Sequence, residues 1–285
     1  DSWDWFVLKA VEEGTLTVVT RQVGNGDAPD LVLEVYTGGN FGEAQDRSDQ
    51  DLQGNSANES VSVQVKAGVV FAWLGDEGST PSAMPQLDCF AAPASHSFAF
   101  KGLWHCNWLQ AFEVGIDPVH TSFLHRFFDD EDGAAEVGAG GKAYGRQFRA
   151  ASVGDVDGER WPMTRVMREV CSPEIRHEDV RPGLVKLTTL RLINERLTHV
   201  RVTHAIFPHT FVIPLSPTMT ITQMHVPIDD THTYWYSFFT SFDGPVDKDT
   251  MRAQRAATMH MPDYLPKNGR HNDWAFDPED QRLRT

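Results

Sequence analysis

The chain opens with short runs in which apolar and polar positions alternate. Phe6–Val11 and Thr15–Gln22 are rich in β-branched residues and flank a Glu-Glu-Gly turn, and Leu31–Tyr36 alternates up to Gly38-Gly39. A period of two puts one face of each run toward a core, so these segments are predicted as strands. Residues 40–60 are polar and acidic without periodicity and read as a loop. Val61–Leu74 resumes as a strand pair turning at Lys66-Ala67-Gly68. Residues 75–95, with Pro81, Pro85 and Pro93, read as an extended connection.

From Gly102 to Phe128 the period changes. Trp104, Trp108, Leu109, Phe112 and Ile116 recur at helical spacing, which predicts a helix with one apolar face. Asp117-Pro118 predicts a break and restart, with Asp as N-cap and Pro at the first position of a second helix over 118–128. Residues 129–160 are Gly-rich and acidic and read as a loop. Trp161 to Phe242 returns to strand-like runs beginning near Met163, Leu184, Thr198, Met219 and Thr231, separated by turns such as Pro182-Gly183 and Asp229-Asp230. This predicts an antiparallel meander. Residues 247–259 read as a helix and 262–285 as mostly irregular. Strands, helices, strands and a final helix in segregated blocks predict an α+β fold, one antiparallel sheet packed against helices.

Composition narrows the class. Of 285 residues, 40% are hydrophobic and 23% charged, the balance of a globular protein with a core. The net charge of −15 repels phosphate backbones and anionic headgroups, so neither nucleic acid nor membrane is expected as a partner. No apolar run approaches the ~20 residues of a membrane span, and no signal peptide opens the chain. It begins at Asp1, so residues upstream are expected. Three cysteines (Cys89, Cys106, Cys171) make no disulfide framework and no C-x-x-C pair, so a reducing, cytoplasmic compartment is expected.

The densest chemistry lies between Asn107 and His125, where Glu113, Asp117, His120 and His125 interrupt an apolar helical region. Buried carboxylates and imidazoles are costly unless paired or metal-bound, and imidazole beside carboxylate suits a divalent first-row metal. On a regular helix His120 and His125 stand about 140° apart around the axis, too far to share a metal unless a bulge or break intervenes. The spacing alone leaves open both a metal site and two histidines satisfied by hydrogen bonds.

The pattern Glu113-x3-Asp117-x2-His120-x4-His125, preceded by Cys106-Asn107-Trp108-Leu109-Gln110, resembles the iron-site motif of Rieske non-haem iron oxygenases. It is most similar to catalytic subunits of the phthalate dioxygenase type. Gly68–Trp73, Phe98–Leu103, Phe207–Phe211 and Val226–His232 read like that family too, so the resemblance runs from about residue 61 to 285. It implies a helix-grip catalytic domain, a curved antiparallel sheet packed on helices, over residues 81–285. Residues 1–80 would be a small β-rich remnant of, or replacement for, a Rieske-like domain. It implies Fe(2+) held by His120 and His125, with Asp117 hydrogen-bonding a ligand histidine and relaying electrons between subunits. Asn107 and Glu113 belong to the same catalytic group, and Phe207, His209 and Phe211 would line the substrate site. The implied reaction is oxygenation of an aromatic substrate by dioxygen: dihydroxylation, hydroxylation or demethylation. Electrons would come from NAD(P)H through a reductase or ferredoxin and a 2Fe-2S cluster, in a homotrimer or a multiple of it.

Two features depart from that family. None of the three cysteines begins a C-x-H or C-x-x-H pair, so the chain has no ligands for the 2Fe-2S cluster. The family's third iron ligand is an aspartate in a C-terminal helix, and Asp273, Asp277 and Asp280 do not clearly match it. The chain therefore reads as open at both ends. The alternative expectation is a non-catalytic subunit of the same fold that binds an aromatic ligand or serves assembly. A zinc hydrolase on the same histidines is a weaker third, since no H-E-x-x-H is present. His204 and His209, five apart in strand-like sequence, face opposite sides. His225 and His232 read as solvated turn residues. Arg165, Arg168 and Arg191 are candidates for a substrate carboxylate against a solvated strand face.

Overall fold

A computed structural model of the chain describes residues 5–10, 16–22, 31–37, 59–66, 69–76, 83–124, 152–261, 264–279 and 282. The chain divides into two compact units, Asp1–Ala94 and Ser95–Thr285. Of the loop predicted over 40–60, residues 40–58 lie outside the described residues and Glu59 and Ser60 already belong to a strand; the segment 125–151, which includes His125, also lies outside the described residues.

The first unit holds β1 (Trp5–Ala10), β2 (Leu16–Gln22), β3 (Leu31–Thr37), β4 (Glu59–Lys66) and β5 (Val69–Asp76). Each predicted strand run is a strand, and β4–β5 is the predicted hairpin. The pairing differs from the simplest reading. β1 and β2 flank the Glu-Glu-Gly turn but do not pair; β1 joins β5, and β2 joins β3. The near-continuous apolar run of β5 suits a strand with neighbours on both sides, and it is central in the order β1-β5-β4. Phe71 of β5 is buried and meets the ring of Phe90, in α1 (Asp88–Ala91), edge-on at 5.2 Å.

The second unit is built on a seven-stranded antiparallel sheet. β6 (Ser97–Trp104) leads into α2 (Trp108–Ile116) and α3 (Thr121–Leu124). A hairpin of β7 (Ser152–Val156) and β8 (Glu159–Pro162) and the helix α4 (Met163–Glu169) follow. The meander is β9 (Glu174–Arg181), β10 (Leu184–Leu192), β11 (Thr198–Ile206), β12 (Thr210–Ser216), β13 (Met219–Pro227) and β14 (Thr233–Ser241), and α5 (Lys248–Thr258) packs after it. The sheet order is β6-β14-β13-β12-β11-β10-β9, so the strand made first closes beside the strand made last. The α+β class expected from the element order is the one found.

Register places one row of side chains under the helices. Phe239, Ile221 and Ile213 are successive partners across β14, β13 and β12. With Phe100, Leu215 and Met251 of α5 they form one core cluster. Phe211, Ala205 and Val185 continue the row under Phe112, Trp108 and Ile116 of α2. Farther along β10 and β11 the same face turns polar: Thr189 pairs with Arg201 and Arg191 with His199, yet Thr189, Arg191 and Arg201 are buried.

Three local readings change. Trp104 ends β6, so the helix starts at Trp108 rather than near Gly102, where Asn107 Oδ1 accepts from the Leu109 N–H at 2.9 Å. The run at Met163 is a helix, not a strand: Met163, Val166 and Met167 are buried at helical spacing, and Arg165 bonds Glu169 one turn on. The predicted loop over 129–160 contains the β7–β8 hairpin, turned at Asp157-Gly158 with φ of 52° and 86°. Asp-Gly in that conformation matches the twist of flanking strands and was the readable signal. The helix expected over 247–259 is α5, capped by the Asp247 carboxylate on the Thr250 N–H.

Candidate active site

α2 ends at Asp117 because Pro118 disfavours helical backbone before it. The freed Asp117 side chain organises the next turn. Its Oδ1 accepts from the Val119 N–H at 2.8 Å and its Oδ2 from the His120 N–H at 3.1 Å. Asp117 thus caps the turn as predicted, but the helix begins at Thr121, four residues on, and not at Pro118.

His120 is tied to the same residue by its ring. Nδ1 lies 2.6 Å from the Asp117 main-chain oxygen and 3.8 Å from its carboxylate. A carbonyl oxygen only accepts, so Nδ1 carries the proton and Nε2 the lone pair, the tautomer in which an imidazole ligates a metal. The orienting hydrogen bond comes from the backbone of Asp117, whose carboxylate is engaged by two amides.

The other expected residues scatter. Asn107 caps α2 and donates from Nδ2 to the Asp230 carbonyl at 3.3 Å. Glu113 is exposed on α2. Phe211 is fully buried, 5.8 Å from the Phe112 ring and 5.2 Å from that of His225. His209 precedes β12; burial pulls its pKa below the ordinary histidine value. Phe207 is 60% exposed, with its ring 6.3 Å from Trp108, so it does not join Phe211. Among the carboxylates considered for a third ligand, Asp273 and Asp277 are exposed and Asp280 lies outside the described residues. Among the described residues no three His, Cys, Asp or Glu side chains stand together as a metal-binding group.

Two residues were misjudged from sequence. His225 is not a solvated turn residue. β13 continues to Pro227, so its ring is wholly buried between Phe211 and Trp104, and neither ring nitrogen finds a partner among the described residues. Burial, with the charge of His209, lowers its pKa to about 4. The clue was parity: Ile221, Gln223 and His225 alternate onto one face. Arg191 is not on a solvated face either. It is 0% exposed and donates from Nη2 to the Pro118 carbonyl at 2.9 Å and from Nε to the Val170 carbonyl at 3.2 Å. Arg165 and Arg168 sit on α4 beside Glu169, Arg165 also pairing with Glu159.

A cleft of about 630 Å³ lies at the opposite end of α2 from Asp117, lined among others by His105, Cys106, Asn107, His232, Arg270 and His271. The nine residues of α2 separate it from the His120 turn by roughly 13 Å of helix. His232 is held there by the Asp229 carboxylate at 3.1 Å. Of the cysteines, Cys89 is buried, and burial raises the Cys106 thiol above its usual pKa.

The second unit is thus an α+β arrangement, an antiparallel sheet covered by a helix that ends in the Asp117–His120 turn. Residues 72–262 match the family described as LigXa C-terminal domain like, and the chain belongs to that family. The oxygenase subunit of phthalate 4,5-dioxygenase from Pseudomonas putida is 30% identical over 172 residues, which cover 59% of this chain and 34% of that one. The oxygenase subunit of tert-butanol monooxygenase / tert-amyl alcohol desaturase from Aquincola tertiaricarbonis is 37% identical over 59 residues, 20% of this chain and 12% of its own. The crystal structure of dicamba monooxygenase bound to dicamba matches with a TM-score of 0.42 at 13% identity, covering 79% of this chain and 58% of that one. The chain spans about a third of the length of the first of these relatives. The resemblance read from the motif holds at this level: the curated relatives are oxygenase subunits. No helix among the described residues is long and apolar enough to cross a membrane.

Proposed function

We propose that the chain carries the mononuclear non-haem iron site of an oxygenase component acting on an aromatic compound. The observation that carries the reading is the His120 turn, an imidazole held in its ligating tautomer by Asp117 at the end of a packed helix. In this reading His120 and His125 hold Fe(II) with a carboxylate completing the facial set, and Asp117 fixes the ring. Bound iron would supply dioxygen activation. The protein's own contribution is orientation and exclusion of water. Phe211, Phe112 and His225 form a packed aromatic layer under α2, and burial lowers the pKa of His209 and His225. Asn107 holds the start of α2, and Glu113 is a solvent-facing member of the motif. Phe207 is exposed and Phe211 buried, so the two do not share one surface.

Electrons would reach this site from NAD(P)H through a reductase or ferredoxin and a Rieske centre. None of the three cysteines here begins the C-x-H or C-x-x-H pair that such a 2Fe-2S centre would use. A trimer in which one subunit's cluster faces another's Asp117 fits this route. An aromatic acid is the favoured substrate, by likeness to a phthalate dioxygenase subunit.

The test is iron content of the full chain after anaerobic loading. One Fe(II) per chain is expected, falling to a small fraction in His120→Ala and His125→Ala with the circular dichroism spectrum unchanged. A parent chain that takes up no iron yet binds aromatic acids would point instead to a non-catalytic ligand-binding subunit.

A further inference from the structure

Arg191 is a whole guanidinium sealed inside the molecule. It is 0% exposed, and desolvation lowers its pKa. Its neighbours are also basic: Arg201 on the next strand, held near a pKa of about 10 by burial and then by the charge of Arg191, and His199, its cross-strand partner. Among the described residues no carboxylate is a hydrogen-bond partner of Arg191. Such a cation is expensive to keep, and a Met or Leu of similar length would pack there at lower cost.

What Arg191 does hold are two main-chain carbonyls from segments far apart in sequence. Nη2 donates to Pro118, inside the turn that Asp117 caps and His120 belongs to. Nε donates to Val170, just past the end of α4. Both carbonyl oxygens carry partial negative charge, and their hydrogen bonds offset part of the cost of the buried cation. A guanidinium donates along several edges of one rigid plane, so a single side chain fixes both segments to β10. Nη1, the remaining terminal nitrogen, has no partner among the described residues.

We propose that Arg191 is a positioning residue: from the floor of the sheet it locks the Asp117–His120 turn and the end of α4 in place, and so sets the direction in which His120 presents its ring. The proposal rests on His120 being a metal ligand. Arg201 is the internal control. It is comparably buried and cationic, but donates to Pro214 of β12 and makes no bond to the turn.

The experiment uses the full chain, with Co(II) as a spectroscopic probe in place of iron. Arg191→Lys and Arg191→Gln keep a polar side chain but lose the two-pronged reach. Both are expected to weaken Co(II) binding about tenfold or more, as outer partners of metal ligands usually do, and to shift the cobalt visible bands. Arg201→Lys is expected to leave affinity and bands at the parent values. In metal-free protein, hydrogen exchange at the Val119 and His120 amides is expected to quicken in Arg191→Lys and not in Arg201→Lys. Unchanged exchange in folded Arg191→Lys overturns the clamp. Parent-like cobalt binding with lost affinity for an aromatic carboxylate also overturns it, making Arg191 a ligand contact. A parent chain that binds no cobalt overturns the iron reading, while the exchange comparison still decides the clamp.

Discussion

His225 concentrates the energetics of the covered face in one side chain. Its ring is stacked in an aromatic sandwich, and its two nitrogens are unpartnered among the described residues, each deficit worth about 1–3 kcal/mol. An unfolded histidine titrates near 6.5, and burial holds His225 near 4. Between those values the unfolded chain binds more protons than the folded one. Stability is therefore full above about pH 6.5, declines as pH falls toward 4 and levels below it. His199, lowered to about 4 by burial and by Arg191 and Arg201, acts in the same window. The His225 share is roughly 3 kcal/mol at most. His225→Phe is expected to raise stability at pH 7 by about 1–2 kcal/mol and to flatten the acid limb. Urea titrations at pH 7 and pH 5 measure both; equal loss in parent and variant would sink the argument. At this scale the sequence was legible where side chains act locally. Asp117 as a cap followed from Asp-Pro, because an Asx cap reaches only two or three residues. His225 and Arg191 were not legible, because their burial depends on which strand lies beside them and what covers it.

The element that matters most is α2, and its seat is one glycine. A Cβ on Gly115 would stand 2.2 Å from Phe211 Cζ and 2.5 Å from Cε1. That ring is wedged between Phe112 and His225 and has little room to retreat. Gly115→Ala gains about 1 kcal/mol of helix propensity and loses about 1–3 kcal/mol to overpacking, so a net loss of up to about 2 kcal/mol is expected. Phe211→Leu shortens the wedge, so adding it to Gly115→Ala should cost clearly less than the sum of the two single changes. Thermal melts of the four proteins in the cycle check this, and strict additivity would mean the ring is not the obstacle. The helix itself was readable from Trp108, Phe112 and Ile116. Its start was not: Trp104 continues the apolar spacing by coincidence, and only the pairing of Trp104 with Thr233 shows that it ends a strand. Likewise the Met163 run satisfies both a strand and a helix reading, and the burial of Met163, Val166 and Met167 together decides for the helix.

At the scale of the whole unit, the sheet has two unlike edges. All eight residues of β9, at one edge, are exposed. Its charges face one another or the next strand, Arg176 with Glu174 and Glu178 with Lys186. Charges along an open edge discourage other chains from adding a strand. Replacing Arg176 and Glu178 by valine is expected to leave the melting temperature within a few degrees of the parent while raising light scattering at high concentration. Unchanged scattering would show that the edge is guarded by something else. The class of fold was legible in the block order of elements. The strand order was not, because period-two patterns carry no address: nothing local in β6 names β14 as its neighbour.

The pairing of β6 with β14 also sets a schedule. The Thr233 hydroxyl bonds the Cys106 carbonyl, 127 residues away in the chain. During synthesis β6, α2 and the His120 turn leave the ribosome first, and β14 follows after an interval on the order of ten seconds at ordinary elongation rates. Until β10, β11 and β12 have followed, the apolar side of α2, Trp108 and Phe112 included, has no sheet beneath it. The Asp117–His120 turn is made early and secured late. Apolar surface exposed in this way during synthesis is what chaperones bind.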